Sequence, residues 1–244
     1  MSSKQGISTL KQMIPQGLAK FYLENIKKVE TPYRDYNHQY KCIFIHIPKT
    51  AGTSFGRTIF ENRDPSVSHT DAFYYKVFEP KLFREYFKFT FVRNPWDRVL
   101  SNFNYFRRTD QIERVPQLKE TQFLTKYNDF ESFVMDLDNP KIKEYLFTLY
   151  HFRKQYEFIY DYKMNLLVDY VGYFETLNDD SDKILLKLNR SELKIPHLNS
   201  SKKEKDYRDV YTDKTRDIVS KLYPEDIELF GYNFDGISKR LICG

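Results

Sequence analysis

The hydrophobic pattern of this chain changes period several times. Residues 42–47, Cys-Ile-Phe-Ile-His-Ile, are almost wholly apolar. Such a run predicts a strand buried on both faces. Pro48 ends it, and the small-residue turn Lys49-Thr50-Ala51-Gly52 leads into a helix over 53–62. Thr53 or Ser54 is expected to cap that helix, with Phe55, Ile59 and Phe60 facing inward. A second short apolar strand, 88–93, ends at Arg93. Asn94 as N-cap and Pro95 at the first helical position then predict a helix over 95–108. Trp96, Val99, Leu100, Phe103 and Phe106 share one face of it. Asn94, Arg98 and Ser101 share another.

The remaining pattern is coarser. Residues 71–87 read as helical or irregular, and 109–128 as loop plus short helix. Helices are expected over 129–137 and 141–158, a strand over 166–174, and a helix over 178–189 capped by Asn178 or Asp179. Helices at 212–222 and 224–230 close the chain. Met1–Lys28 reads as a helix with Ile7, Leu10, Ile14, Leu18, Phe21, Leu23 and Ile26 spread along it, part of an N-terminal extension over 1–40. Alternating strands and helices imply an α/β fold, a central parallel sheet flanked by helices. Ligands of such sheets sit outside the carboxyl ends of the strands, where both turns fall.

Composition narrows the picture. The 244 residues show no Pro/Gly/Ser linker, repeat or low-complexity run, so a single domain over 1–244 is expected. Aromatic residues make up 17%, enough for a substantial core. Mean hydropathy is −0.66 and no apolar stretch approaches the length of a membrane span. Met1–Lys28 lacks the apolar block of a signal peptide. Cys42 and Cys243 are the only cysteines, which argues against a disulfide framework and is compatible with a reducing compartment. A net charge of +5 suits an anionic cofactor or substrate without requiring nucleic acid. No metal-ligand cluster stands out.

The two turns carry the chemistry. A helix N-terminus presents unpaired backbone N–H groups and a positive dipole end, so each turn suits a phosphate or sulfate. Gly52 is expected to let the backbone approach such an anion closely. The first turn is not a Walker A loop, because Lys49 precedes the glycine. At the second, Arg93 offers a planar donor fork and Ser101 a hydroxyl, enough to clamp one phosphate. The alternative makes Arg93 and Arg98 ion-pair partners of Asp97 or another acid, with Arg98 the more structural of the two.

Together these segments resemble the two cofactor motifs of sulfotransferases that use 3′-phosphoadenosine 5′-phosphosulfate (PAPS). The nearest branch is that of the carbohydrate sulfotransferases, including the chondroitin and heparan 2-O enzymes and their bacterial relatives. Val171-Gly-Tyr-Phe-Glu-Thr-Leu177 is similar to the family's later strand. Pro196-His-Leu-Asn-Ser-Ser201 is similar to its cofactor-covering loop, and Tyr211-Thr-Asp to Gly231-Tyr232 resembles its C-terminal helices. The match is weak between about 107 and 150.

The resemblance implies a P-loop-NTPase-like sulfotransferase fold and a PAPS-dependent transferase acting on a hydroxyl, on a carbohydrate or glycolipid. It implies that Lys49 supplies leaving-group charge. Residues 50 to 54 (Thr50, Ala51, Gly52, Thr53, Ser54) would hold the 5′-phosphosulfate, and Arg93 and Ser101 the 3′-phosphate. Phe174 would pack on adenine, and Asn199, Ser200, Ser201 and Lys202 would belong to the covering loop. The run Lys202-Lys203-Glu204-Lys205 reads equally as a solvated loop or a cofactor contact. His69 is the implied base, with His46, Asp71 and Glu79 as rivals and His151 and His197 behind them. No metal is implied, and no nucleic acid. Golgi members carry a membrane anchor that has no counterpart here, which favours a cytoplasmic, bacterial-type enzyme. Two other readings stay open: a nucleotide or small-molecule kinase, and a non-catalytic nucleotide- or polyanion-binding protein. Acceptor pockets are built from variable loops, and in and beside the 107–150 region Tyr105, Arg107, Arg108, Arg114, Lys119, Lys126, Lys141 and Lys143 read either as facing an anionic sugar or as plain surface.

Overall fold

The computed structural model describes residues 15–28, 30–61, 69–195 and 206–242, without the side chains of Gln16 and Ser54. Helix α1 covers Gln16–Phe21 and continues as a π-helical turn, Tyr22–Ile26. Helix α2 is Asp35–Tyr40 and strand β1 is Cys42–Ile45. Helices α3 (Gly52–Ile59), α4 (Ala72–Phe78) and α5 (Pro80–Glu85) lead to β2, Phe87–Val92. Helices α6 to α10 come next, at Pro95–Arg107, Thr109–Arg114, Lys119–Leu124, Phe130–Asp136 and Pro140–Leu146. Strand β3 is Tyr170–Tyr173 and α11 is Leu177–Lys187. Helices α12 (Asp213–Leu222) and α13 (Pro224–Phe230) precede a short antiparallel pair, β4 (Tyr232–Asn233) and β5 (Gly236–Ile237).

The described residues fall into two compact units. One lies within Met1–Val92 and Gln155–Leu198, the other within Arg93–Lys154 and Asn199–Leu241. The first unit holds the parallel sheet, in the order β1-β2-β3. Cys42 pairs with Phe87 and Phe44 with Phe89, while Phe89 pairs with Tyr170 and Val92 with Tyr173. Alternation sends Cys42, Phe44, Phe89 and Phe91 to one face. There they bury Phe55, Ile59 and Phe60 of α3 and Leu177, Ile184 and Leu185 of α11. All four residues of β1 are buried, as a strand covered on both sides requires.

The second unit is helical around α6. Its apolar stripe, Trp96, Val99, Leu100, Phe103 and Phe106, packs with Phe123 and Leu124 of α8, Phe130, Phe133 and Val134 of α9, and Ile218, Val219 and Leu222 of α12. Asn94 caps α6 by accepting from the Trp96 amide at 3.1 Å, and Pro95 stands at its first turn, as expected. Gly231, at φ +62°, ends α13, and a Cβ there would fall 1.7 Å from the Lys239 carbonyl oxygen.

Several boundaries differ from the sequence reading. The helix expected over 141–158 stops at Leu146 and gives way to 3-10 turns at Tyr150–Phe152 and Tyr156–Phe158. Past Leu146 the amides of Thr148 and Leu149 donate to carbonyls three residues back, and further on Arg98 takes the His151 and Arg153 carbonyls at 2.9 and 2.8 Å, away from a helical ladder. The strand expected over 166–174 pairs into the sheet only from Tyr170. Asp169 N still donates to Lys88 O at 2.8 Å, but before it the backbone bonds elsewhere: Leu167 N donates to Ile159 O at 2.8 Å, and Leu166 bridges Tyr160. Helix α11 starts at Leu177, with Thr176 rather than Asn178 or Asp179 at the cap. Strand β1 ends at Ile45, two residues early, because Ile47 O accepts the Thr50 hydroxyl and the chain has begun to turn. Of the N-terminal helix, Gln16–Ile26 is helical, with Ala19 and Leu23 buried and Leu18, Phe21 and Ile26 exposed. Helix α2 and the β4–β5 pair lacked a sequence signal of their own.

Candidate functional site

In the first unit, the turn after β1 is built from unusual backbone. Lys49 and Ala51 both adopt left-handed conformations, at φ +69° and +68°. For residues with a Cβ this costs about 1–2 kcal/mol each. Ala51 is the N-cap and α3 begins at Gly52, so Thr53 and Ser54 lie inside the first turn and do not cap it. Alternating left-handed residues running into a helix N-terminus turn successive N–H groups toward one point, a concavity suited to an anion. Thr50 is fully buried and its hydroxyl donates to Ile47 O at 2.9 Å, so its side chain braces the turn. Lys49 is half-buried at its start.

The glycine at 52 has a further reason beside the one expected. A Cβ there would lie 2.1 Å from Cδ2 of His46, so the imidazole presses directly on the helix start. His46 is 3% exposed. Its carbonyl accepts from His69 Nδ1 at 3.0 Å, and the two rings lie 4.5 Å apart at 47°. A carbonyl oxygen only accepts, so Nδ1 of His69 carries the proton and Nε2 is the basic nitrogen. His69 is half-buried.

The other candidate bases are placed differently. Asp71 is the residue before α4. Glu79 pairs with Lys20 at 3.3 Å. His151 donates from Nδ1 to buried Glu120 at 2.9 Å. Burial pushes the Glu120 carboxyl up, but the hydrogen bond and charge of His151 outweigh it and hold it below the ordinary carboxylate value. His197 lies outside the described residues.

Phe174 opens a 3-10 turn at the end of β3 and is half-buried. The turn is held by a residue that sequence reasoning missed. Asp180, fully buried, accepts from the Tyr173 amide at 2.9 Å, the Thr176 hydroxyl at 2.8 Å and the Tyr170 hydroxyl at 2.7 Å. Its only sequence signal was an acid in the first turn of a helix.

In the second unit, Arg93 and Ser101 meet. Arg93 Nη1 donates to Ser101 Oγ at 3.0 Å. Nε and Nη2 donate to both oxygens of Asp97, at 2.7 and 2.8 Å. The structure shows the ion-pair reading of Arg93: Asp97, one helical turn on, fixes the plane of the guanidinium. A cavity of about 260 Å³ opens on this group, lined also by Leu100, Asn104 and Phe130. Asn104 carried no sequence signal.

Arg98 is 1% exposed, and burial lowers its guanidinium below the usual value. It is structural, as is Asn94, whose amide donates to Asn233 O at 2.9 Å. Of the polar face expected on this helix, only Ser101 reaches the cavity.

Asn199, Ser200, Ser201 and Lys202, with the 202–205 basic run, lie outside the described residues. Of the basic residues after 105, Arg107 lies over the Phe103 ring at 4.7 Å, Arg108 pairs with Asp110 at 2.7 Å, and Arg114 donates to Tyr105 Oη at 3.0 Å. Among the described residues there is no group of acids, histidines and cysteines able to hold a metal ion. No described helix is long and apolar enough to cross a membrane.

Comparison with known proteins bears on these two turns together. A protein of Archaeoglobus fulgidus, described only as uncharacterized, is 28% identical over 112 residues, 46% of this chain and 75% of that one. No solved structure matches the chain. Residues 34–233, which include both turns, β3 and the C-terminal helices, match the sulfotransferase family, and the chain belongs to that family.

Proposed function

We propose that this sulfotransferase uses PAPS as donor and a hydroxyl of a carbohydrate or glycolipid as acceptor. The observation that supports the donor most is the Arg93–Ser101 contact, a fork and a hydroxyl pre-set by Asp97 beside a cavity. That is the equipment needed to recognise a 3′-phosphate, the group that separates PAPS from ordinary adenine nucleotides. The left-handed turn at Lys49–Gly52 has the donors for a 5′-phosphosulfate, so the residues present fit the cofactor. When bound, PAPS supplies an activated sulfuryl group on a phosphate that leaves with the nucleotide.

The chain's own residues do the rest. Backbone N–H groups of residues 50 to 54 orient the 5′ end, and Lys49 places positive charge where the leaving oxygen gains negative charge. Thr53 adds a hydroxyl at the same helix start. Phe174 offers a ring face to adenine, and Asn199, Ser200, Ser201 and Lys202 cover the nucleotide. His69 receives the acceptor proton at Nε2, its Nδ1–H held on the His46 carbonyl.

Thermal unfolding with adenosine 3′,5′-bisphosphate and, in parallel, ADP tests the donor. At about 100 times its dissociation constant, a ligand adds roughly 2.7 kcal/mol, a Tm rise of a few degrees. A rise with the bisphosphate alone is expected. A rise with ADP alone would replace this reading with the kinase one.

A further inference from the structure

We infer that His46 is a positioning residue of the transfer reaction, tying the nucleotide turn to the base through its ring and its carbonyl; the inference rests on the reading above. At 3% exposure the imidazole is too deeply buried to meet an acceptor, which removes it as a base. Its position is fixed by stacking. It lies on Phe44 at 5.6 Å and 15°, and Phe44 lies on Phe89 of the neighbouring strand at 5.2 Å and 17°. The ring is thus the end of an aromatic stack that stands on the sheet. Its far edge abuts Gly52, so that it sets how close the start of α3 comes to the strand. Its carbonyl sets the tautomer and direction of His69. One residue therefore fixes two separate parts of the machinery: the N–H groups that face the sulfuryl donor, and the nitrogen that faces the acceptor proton. The same contact explains why residue 52 has no side chain.

A double-mutant cycle tests this, read by calorimetric affinity for adenosine 3′,5′-bisphosphate. Gly52→Ala drives a methyl into the ring and is expected to weaken binding about 10- to 100-fold, the usual consequence of overpacking. His46→Ala removes the support and weakens it about 10-fold. In the double variant the methyl enters the space left by the ring, and binding recovers to within about 10-fold of wild type. Losses that simply multiply would overturn the inference.

The second readout is the 15N spectrum of the His69 imidazole. Wild type and His46→Ala should both show the Nδ1-protonated tautomer, because the acceptor is the main-chain carbonyl, which the substitution keeps. An Nε2-protonated tautomer in wild type would refute the carbonyl half of the inference. His46→Asn serves in both measurements if the alanine variant does not fold. A wild-type protein with no affinity for the bisphosphate would overturn the donor reading, while the wild-type tautomer would still decide whether the residue 46 carbonyl holds His69.

Discussion

The two anion-binding candidates are built by opposite means. At Lys49–Gly52 the donors are main-chain N–H groups, aimed by left-handed backbone at residues 49 and 51 and braced by Thr50 and His46. At Arg93 the donors are side-chain groups, aimed by Asp97 and Ser101 from a 13-residue helix of ordinary geometry. The first design stores strain, and its side chains brace the backbone instead of supplying the donors. The second stores none and depends on three particular side chains. A group that must be held still while a bond to it breaks is better served by rigid main chain. A group that is only recognised can be left to side chains, which tolerate evolutionary adjustment of the helix that carries them.

The largest effect should separate chemistry from recognition. Replacing His69 with Ala should cut turnover by about 10²- to 10⁴-fold, the usual contribution of a general base, while bisphosphate affinity stays within a few-fold of wild type. Steady-state kinetics with calorimetry would show this, and unchanged turnover would take His69 out of the mechanism.

The next effect lies on the side-chain site. Arg93→Ala should weaken adenosine 3′,5′-bisphosphate about 10- to 100-fold, corresponding to roughly 1.5–3 kcal/mol for charged hydrogen bonds, and leave AMP affinity unchanged. Asp97→Asn should do the same more weakly, because the guanidinium keeps its charge and loses its fixed plane. Should Asp97→Asn instead bind more tightly, Asp97 would be a competitor for Arg93 and not its support, and the contrast between the two sites would fail.

The smallest effect lies on the main-chain site. Ala51→Gly relieves a left-handed residue while keeping every N–H group, so bisphosphate affinity should change less than about 2-fold. The melt should rise by about 1–3 °C, since the relieved strain exceeds the added freedom of the unfolded chain by a few tenths of a kcal/mol to about 1 kcal/mol. A large loss of affinity would mean that the Ala51 side chain, and not its backbone, does the work.

The same contrast separates the legible parts of the sequence from the illegible ones. Strands β1 and β2, the Asn94–Pro95 start of α6 and the closing helices α12 and α13 obey local rules of burial, capping and period. Ser101 and Asp97 were reachable because helical spacing alone places them near Arg93. The start of α3 was not, because alanine gives no sign of a left-handed cap. The irregular chain at 151–153 was not, because its carbonyls are taken by Arg98, about fifty positions earlier in sequence. His46 read as a rival base, since nothing local reveals that its ring stands against Gly52 or that its carbonyl holds His69. Asp180 was missed for the same reason: three groups converge on it only once β3 has met α11.

The order of the sheet has a consequence for synthesis. Strand β2 is central, yet its partner β3 begins at Tyr170, after all of α6 to α10. Translation at about 5–20 residues per second leaves several seconds between the two strands emerging. During that interval Phe87–Val92, a β-rich segment with three phenylalanines, has one open edge, the kind that recruits a neighbouring nascent chain. Yield in a cell should therefore respond to growth temperature and chaperone supply more steeply than the stability of the finished protein would suggest.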